Sequence, residues 1–225
     1  MLWKETLEIE VFNDDQFAEN GYVIWDVKTK AAWAIDPGFD PAPDEMHAAI
    51  IKHGLKLAAI VLTHCHVDHI AGIGPLTKLV GDCPLVCPRD EAHMLASPAA
   101  NLSIGIGLPI VARAATRLIA PGETIELGPH VFRTLDVAGH SPGGLAYYAP
   151  SLELLISGDA VFAESIGRYD FPGSSRTRLL RNIRDQILPL PDETLVLSGH
   201  GPPATLEEIR QYNGTLRTEL RSLKE

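Results

Sequence analysis

The most constraining feature of this sequence is an apolar run followed at once by a cluster of metal-binding side chains. Leu57–Leu62 (LAAIVL) is continuously apolar, which indicates a strand buried on both faces. The next seven residues, Thr63–His69 (THCHVDH), contain three histidines and one aspartate. Sites in α/β sheets lie beyond the C-terminal ends of strands, and divalent zinc and iron bind imidazole and carboxylate groups. We therefore predict a metal site at a sheet edge.

The spacing within this cluster suggests two sets of ligands. His64 and His66 are two residues apart, so in an extended segment both side chains can point the same way. Asp68 and His69 lie at the start of a predicted helix and can face a second ion. Cys65 lies between two of the ligands and would point away from the metals, so we expect it to be structural.

Three more candidate ligands each follow another predicted strand and a glycine. They are His140 in AGHSPG, Asp159 in SGD and His200 in SGHGP. Glycine permits close backbone approach and unusual dihedral angles. Alone, each residue is typical of a turn, but with the first cluster they indicate one site. The predicted ligands are His64, His66, Asp68, His69, His140, Asp159 and His200.

The rest of the sequence alternates short strands with helices. We predict strands near Leu7–Phe12, Gly21–Val27, Ala31–Ile35, Leu57–Leu62, Pro84–Cys87, Thr124–Leu127, Val131–Val137, Leu145–Tyr148, Leu152–Ile156 and Thr194–Leu197. We predict helices near Asp44–His53, His69–Val80, Arg89–Leu95 and Ser175–Leu188, with a last one from Thr205 whose capping box includes Glu208. Residues 97–120 have no clear pattern and are expected to form a lid or pocket rim. This order indicates two similar halves, each a sheet covered by helices.

The run His64-x-His66-x-Asp68-His69, then Gly-His140, Gly-Asp159 and Gly-His200-Gly-Pro, resembles the metallo-β-lactamase superfamily. The stretch SIGRYDFPG at residues 165–173 is similar to a segment of its hydroxyacylglutathione hydrolase (glyoxalase II-like) branch. Only 25 residues follow His200 (225 − 200), room for one helix with basic residues up to Lys224, so we expect a short form without that branch's C-terminal helical domain. The resemblance implies an α/β fold, a four-layer αββα sandwich, as a single domain of residues 1–225.

The same resemblance implies a role for each ligand and a reaction. His64, His66 and His140 would hold the first metal ion, Asp68, His69 and His200 the second, while Asp159 and a hydroxide would bridge them. Zinc is expected first, and iron or manganese also suit these donors. The substrate would be a small-molecule thioester such as a hydroxyacylglutathione. Asp68 would also accept a hydrogen bond from the attacking water.

Other functions and weaker candidate residues remain open at this point. A mononuclear iron persulfide dioxygenase looks similar and would use only His64, His140 and Asp159, whereas a lactonase or β-lactamase would use both ions. The complete ligand set disfavours a non-catalytic module. Arg168 and Tyr147 are weaker candidates for substrate contact. Arg168 could equally pair with Asp170, and Tyr147 could belong to the core or the surface.

Composition excludes several classes of partner. The net charge of −10, with no dense block of Lys and Arg, argues against nucleic acid. No apolar run approaches the roughly 20 residues of a membrane span, and the N-terminus lacks a signal-peptide pattern, so we expect a cytoplasmic protein. Cys65, Cys83 and Cys87 are expected to be free thiols. Asp36 should shape a turn or support a ligand, and His47, His53, His93 and His130 should lie on the surface or at helix ends.

Overall fold

Two β-sheets form the centre of the structure, a computed structural model that describes residues 1–223; Lys224 lies outside these residues. The strands, in chain order, are β1 (Leu2–Trp3), β2 (Leu7–Asn13), β3 (Asn20–Asp26), β4 (Ala31–Ile35), β5 (Lys56–Val61), β6 (Leu85–Pro88), β7 (Arg117–Ile119), β8 (Thr124–Leu127), β9 (His130–Asp136), β10 (Leu145–Ala149), β11 (Leu154–Gly158), β12 (Leu195–Ser198) and β13 (Ala204–Thr205). The first sheet has the order β1-β2-β3-β4-β5-β6-β7, and the second has the order β13-β12-β11-β10-β9-β8. Each sheet is built from one half of the chain, as the sequence predicts.

Helices cover the outer face of each sheet. The α-helices of residues 1–223 are α1 (Ala42–Lys52), α2 (Val67–Ile70), α3 (Ile73–Val80), α4 (Arg176–Asn182), α5 (Leu206–Tyr212) and α6 (Gly214–Arg221). The predicted capping box is present at α5, where Thr205 Oγ1 accepts from the Glu208 amide and the Glu208 carboxylate accepts from the Thr205 amide. Within the described residues, no helix combines the length and apolarity that a bilayer crossing requires.

Within residues 1–223, three apolar clusters separate the layers. Between the sheets, Ile24 and Trp33 face Phe132 and Tyr147, and the ring centroids of Trp33 and Phe132 lie 4.9 Å apart. The other two clusters lie between each sheet and its helices. Burial of each large apolar side chain contributes roughly 1.5–3 kcal/mol to folding. The order helix–sheet–sheet–helix confirms the expected αββα sandwich.

Strand direction explains why the candidate ligands meet. In the first sheet, β4, β5, β6 and β7 are parallel neighbours, and β11 and β12 form a parallel pair in the second. The carboxyl ends of parallel strands lie at the same edge of a sheet, and ligand sites lie beyond those ends. The loops after β4, β5, β11 and β12 therefore meet at one edge of the sandwich, where the loop between β9 and β10 joins them.

Several predicted helices differ in detail from those observed. The helix predicted for His69–Val80 is interrupted, because α2 ends at Ile70 and α3 begins at Ile73. At Gly72 the chain passes so close to another loop that a Cβ atom would lie 2.4 Å from the Gly38 carbonyl oxygen. The segment Arg89–Ala96 is a 3₁₀ helix, and α4 continues as a π-helix over Ile183–Ile187.

The unassigned segment 97–120 is ordered into short elements. It contains a 3₁₀ helix at Ser103–Ile106 and ends in strand β7, which pairs with β6.

Strand β5 is only partly buried. Lys56 and Ala58 are exposed in its first half, whereas its second half is buried, so the predicted burial on both faces holds for the second half alone. Strands β1 and β13, of two residues each, were not predicted.

Two expectations about isolated residues have opposite outcomes. Cys65, Cys83 and Cys87 are buried free cysteines, as expected, and Cys65 Sγ lies 3.5 Å from Cys87 Sγ. The surface assignment of His130 is wrong. Its side chain is buried between the sheets, because its Nε2 pairs with an Asp26 carboxylate oxygen at 3.2 Å. This pair links β9 of the second sheet to β3 of the first.

Candidate metal centre

Four chain segments, which follow β5, β9, β11 and β12, bring the seven predicted ligands together at one edge of the sandwich. They form two sets of three whose ligand atoms lie within 4.8 Å of one another: His64, His66 and His140, and Asp68, His69 and His200. Asp159 lies between the sets. Its Oδ2 is 3.5 Å from His140 Nε2 and 3.5 Å from His200 Nε2, and its Oδ1 is 3.6 Å from His69 Nε2.

Hydrogen bonds on the outer side fix the tautomers of two histidines in the first set. Thr63 donates its only hydroxyl proton to Asp36, so at 3.1 Å it accepts from His64 Nδ1–H. His140 Nδ1–H donates to the Arg168 carbonyl oxygen over 2.7 Å. Both residues therefore present an unprotonated Nε2 to the site, and His140 Nε2 lies 2.9 Å from His66 Nδ1.

Burial keeps the first set of histidines neutral. Burial and the neighbouring imidazoles hold the pKa of His64 well below its ordinary value, and burial with the proximity of His140 lowers the pKa of His66 to about 3. Burial also lowers the pKa of His140. A neutral imidazole is the form that binds a metal ion.

Carboxylates dominate the second set. Burial lowers the pKa of His69, but Asp68 and Asp159 outweigh it and raise the pKa to about 9. The same two carboxylates outweigh burial at His200 and raise its pKa to about 10. Burial raises the pKa of Asp68, but His69 and His200 outweigh it and hold the pKa below its ordinary value. The second ligand set therefore stabilises a positive charge placed among its side chains.

Unsatisfied polar atoms test whether these residues fit metal ions. His64 Nε2, His69 Nε2 and Asp159 Oδ1 are buried and have no hydrogen-bond partner among residues 1–223. Leaving such an atom unpaired costs about 1–3 kcal/mol. Coordination would satisfy all three, and their nitrogen and oxygen donors suit divalent zinc, iron and manganese. The residues present therefore fit a pair of metal ions.

Asp36 supports the ligands from outside. Its Oδ1 accepts from the Thr63 amide over 2.8 Å, and its Oδ2 faces the Thr63 hydroxyl at 2.5 Å and His69 Nδ1 at 3.0 Å. A carboxylate oxygen of Asp36 also lies within 4.8 Å of a ring nitrogen of His64 and of His69. Both oxygens of Asp36 already accept hydrogen bonds, however, so it is not needed as a metal ligand. Both roles expected for Asp36 are compatible with the structure: its backbone φ of 45° lies in the bend after β4, and its carboxylate supports the candidate ligand His69.

Two other buried acids near the site, Glu19 and Glu91, carry no recognisable sequence signal. Glu19 is fully buried, neither of its carboxyl oxygens has a hydrogen-bond partner in the described residues, and its Oε1 lies 3.5 Å from His69 Nδ1. Burial and nearby Asp36 hold its pKa well above its ordinary value. Glu91 accepts from the amides of Cys65 and Gly143 over 2.6 and 2.8 Å. It therefore joins the loop after β5 to the His140 loop.

A comparison of the sequence with protein families identifies this arrangement. The sequence matches the model of the metallo-beta-lactamase superfamily over residues 14–200, a span that contains all seven candidate ligands. The chain belongs to this superfamily.

Two bacterial relatives within the superfamily are similar over most of their length. The probable metallo-hydrolase YqgX of Bacillus subtilis (strain 168) is 38% identical over 167 residues, 73% of this chain and 79% of that protein. Hydroxyacylglutathione hydrolase GloC of Haemophilus influenzae is 29% identical over 215 residues, 95% of this chain and 100% of that protein. The chain is accordingly a metal-dependent hydrolase of the metallo-β-lactamase superfamily.

Two crystal structures of the same superfamily fold match this chain closely. The BLEG-1 B3 metallo-beta-lactamase gives a TM-score of 0.86 at 33% identity, covering 92% of this chain and 98% of that chain. TTHA1623 in a di-iron-bound form gives a TM-score of 0.79 at 32% identity, covering 91% and 98%. The second structure supports divalent metal sites in this chain.

The two weaker substrate-contact candidates differ in position. Tyr147 does not line the cavity. Its side chain is fully buried between the sheets, as its alternative role as a core residue predicts, and its hydroxyl donates to the Leu62 carbonyl oxygen over 2.7 Å. Arg168 lies at the rim of the cavity above the ligands. It is also paired with Asp170, at 2.9 Å from Nε and 2.8 Å from Nη2, as the alternative reading expected.

Proposed function

We propose that this chain hydrolyses a small-molecule thioester at two divalent metal ions. The observation that carries the proposal is the position of the Asp159 carboxylate, whose Oδ2 lies 3.5 Å from a histidine of each ligand set. One oxygen shared between two sets of three ligands suits a pair of ions better than a single one. The relative named hydroxyacylglutathione hydrolase supports a thioester, and a glutathione thioester is the first substrate to test.

In this proposal each ligand set holds one ion, and zinc is the first metal to test, followed by iron and manganese. His64, His66 and His140 would hold one ion, Asp68, His69 and His200 the other, and Asp159 both. When bound, the ions would lower the pKa of a water molecule and polarise the substrate carbonyl group.

The residues of the chain then orient the reactants. Because His69 and His200 keep the pKa of Asp68 low, its carboxylate stays ionised and can accept a hydrogen bond from the attacking water. The water oxygen forms a bond to the acyl carbon, the carbon–sulfur bond breaks, and the products are a carboxylate, a thiol and one proton. A thiol with a pKa of about 8.5 can leave as thiolate. The leaving group therefore requires no general acid. This agrees with the lining of the cavity, where the only carboxyl groups among the described residues are the candidate ligands Asp68 and Asp159.

The test is hydrolysis of S-lactoylglutathione by protein loaded with zinc, iron or manganese. We expect turnover in the original protein and its loss in Asp159→Ala. The matched control is Asp185→Ala, which removes an exposed carboxylate paired with Arg184 at the surface, and should keep the original rate. Metal content is measured in each sample. Fully metal-loaded protein that leaves this and other thioesters intact would contradict the proposal.

The earlier alternatives are distinguished by the same preparations. A mononuclear persulfide dioxygenase would bind one iron per chain and consume oxygen with a persulfide substrate. A lactonase would open a lactone ring with both ions bound. Oxygen uptake at one iron per chain, or lactone opening without thioester cleavage, would favour these alternatives over the proposed reaction.

A further inference from the structure

The cavity above the candidate ligands has a polar floor and apolar walls. Its volume is about 860 Å³, within the range of small-molecule sites. Asp68, His140, Asp159 and His200 contribute to the floor. The walls include the side chains of Phe17, Leu102, Ile104, Ile106, Phe162 and Phe171. A substrate whose reacting carbonyl lies at the floor must extend along this apolar surface.

One wall is a fixed segment of the chain. Leu102 and Gly107, both in the left-handed backbone region, flank the 3₁₀ helix Ser103–Ile106. Fully buried Asn101 anchors this turn, because its Nδ2 donates to the carbonyl oxygens of Met94 and Ile110 over 3.0 Å each. The Ser103 hydroxyl accepts from the Ile110 amide over 2.9 Å. Buried hydrogen bonds therefore hold an exposed apolar surface beside the site.

The exposure of this wall needs an explanation. Ile104 is 61% exposed and Ile106 is 39% exposed, although both lie on the anchored turn. Phe17 faces the same cavity and stacks on Phe39, with ring centroids 5.6 Å apart. A cluster of exposed apolar side chains at a cavity mouth marks a ligand-binding surface more often than a single exposed apolar side chain does.

The cavity walls carry too few charged side chains to bind a substrate chain through several ion pairs. Arg168 is the only Lys or Arg among the described residues that line the cavity. Its guanidinium group is already paired with Asp170 through two hydrogen bonds and lies 4.6 Å from the ring centroid of Phe171. The walls therefore offer a substrate chain mainly apolar contact.

We propose that the acyl part of the substrate is an apolar chain of medium length that lies against Phe17, Ile104 and Ile106. This inference rests on the proposed thioester hydrolysis and specifies its substrate class. Burial of a methylene group is worth about 0.8 kcal/mol, which corresponds to a rate factor of up to about fourfold per added carbon. Because the wall is open to water on one side, we expect about twofold per carbon.

The test uses acetyl, butyryl, hexanoyl and octanoyl thioesters of N-acetylcysteamine, so that the leaving group is constant and neutral. We expect kcat/KM to rise at least about tenfold from butyryl to octanoyl with metal-loaded protein. Ile104→Ser should flatten this dependence on chain length. The matched control is Val111→Ser, because Val111 is 66% exposed but lies outside the cavity lining, and it should keep the original dependence. A flat or falling series, or an unchanged slope in Ile104→Ser, would overturn the inference.

A binding measurement separates this inference from the proposed reaction. Acetohydroxamic and octanohydroxamic acids carry the same metal-binding group on different chains, and calorimetry gives their dissociation constants. Tighter binding of the octanoyl compound, reduced by Ile104→Ser, would support the apolar subsite even if no thioester were cleaved. Equal binding of the two compounds would overturn the subsite whatever the outcome for thioester cleavage.

Discussion

Replacement of Asp36 by asparagine tests whether a residue outside the ligand set controls metal binding. The substitution keeps the size of the side chain, and the amide oxygen can still accept from the Thr63 amide in place of Oδ1. The amide NH₂ would then replace Oδ2 and face two donors, the Thr63 hydroxyl and His69 Nδ1–H. The hydrogen bond that orients His69 would be lost.

The magnitude follows from that lost bond. Loss of the carboxylate partner of a metal-binding histidine weakens metal affinity about 10–100-fold, or roughly 1.4–2.7 kcal/mol. Because His69 belongs to the second ligand set, the ion held there should be the one affected in Asp36→Asn. His64 is linked to Asp36 only through Thr63, so the first ion should be affected less. Competition with a chromophoric chelator measures both dissociation constants.

The chain provides a matched control in Asp26. Its carboxylate accepts from the amide and hydroxyl of Thr29, both over 2.6 Å, and faces His130 Nε2 at 3.2 Å. This arrangement repeats the chemistry of Asp36 away from the metal ligands. Asp26→Asn should therefore lower stability and leave both metal affinities unchanged. If Asp36→Asn bound both ions as tightly as the original protein, the positioning argument would be refuted.

Asp26 also predicts a pH dependence of stability. Burial raises its pKa, but the hydrogen bonds from Thr29 and His130 outweigh it and hold the pKa below the ordinary 3.8. A lowered carboxyl pKa in the folded state stabilises the protein above pH 3.8, and this contribution is lost as the pH falls through the lowered value. The difference in unfolding free energy between the original protein and Asp26→Asn should therefore shrink in acid. Urea unfolding at several pH values measures it, and a constant difference would contradict the assignment.

Substitutions at Gly199 and Tyr147, with a control at Gly74, test the packing around the site. Gly199→Ala should abolish metal binding and activity, because the added Cβ atom would lie 2.1 Å from Asp159 Oδ1. The control Gly74→Ala places its Cβ atom in open space on a helix, so it should keep metal binding and activity and increase the unfolding free energy by about 0.4–1 kcal/mol. Metal analysis and thermal unfolding distinguish these results. Tyr147→Phe removes the hydroxyl that donates to the Leu62 carbonyl oxygen, so we expect a stability loss of about 1 kcal/mol at unchanged KM. A raised KM would restore Tyr147 as a substrate contact.

The candidate ligands could be predicted from the sequence because each carries a local signal. His64 and His66 have ligand spacing directly after an apolar strand, and a glycine precedes both Asp159 and His200. At Gly199 the reason for the glycine is visible, since a side chain would collide with Asp159. The ligand residues thus retain patterns that the chemistry requires, although their roles as ligands remain a prediction.

The supporting acids carry no comparable signal. Glu91 lies in a segment that reads as an ordinary exposed helix, and its partners Cys65 and Gly143 are 26 and 52 residues away. Glu19 precedes β3 and approaches His69, which follows β5, only when these strands are assembled in the first sheet. The break at Gly72 also has a tertiary cause, the approach of the Gly38 carbonyl. Such features depend on contacts distant in sequence, which local patterns do not record.

The proposed substrate cavity shows the same limit most clearly. A metal ligand must be one of a few residue types, whereas the cavity wall can use any apolar side chain of suitable size. Ile104 and Ile106 are therefore indistinguishable in the sequence from other apolar residues of the segment 97–120, such as Val111, which lies outside the lining. What sets them apart is the turn anchored by Asn101. Loops of this kind vary more readily than the scaffold that carries the ligands. In the proposed reaction, this wall rather than the ligand set would therefore determine which substrates the chain accepts.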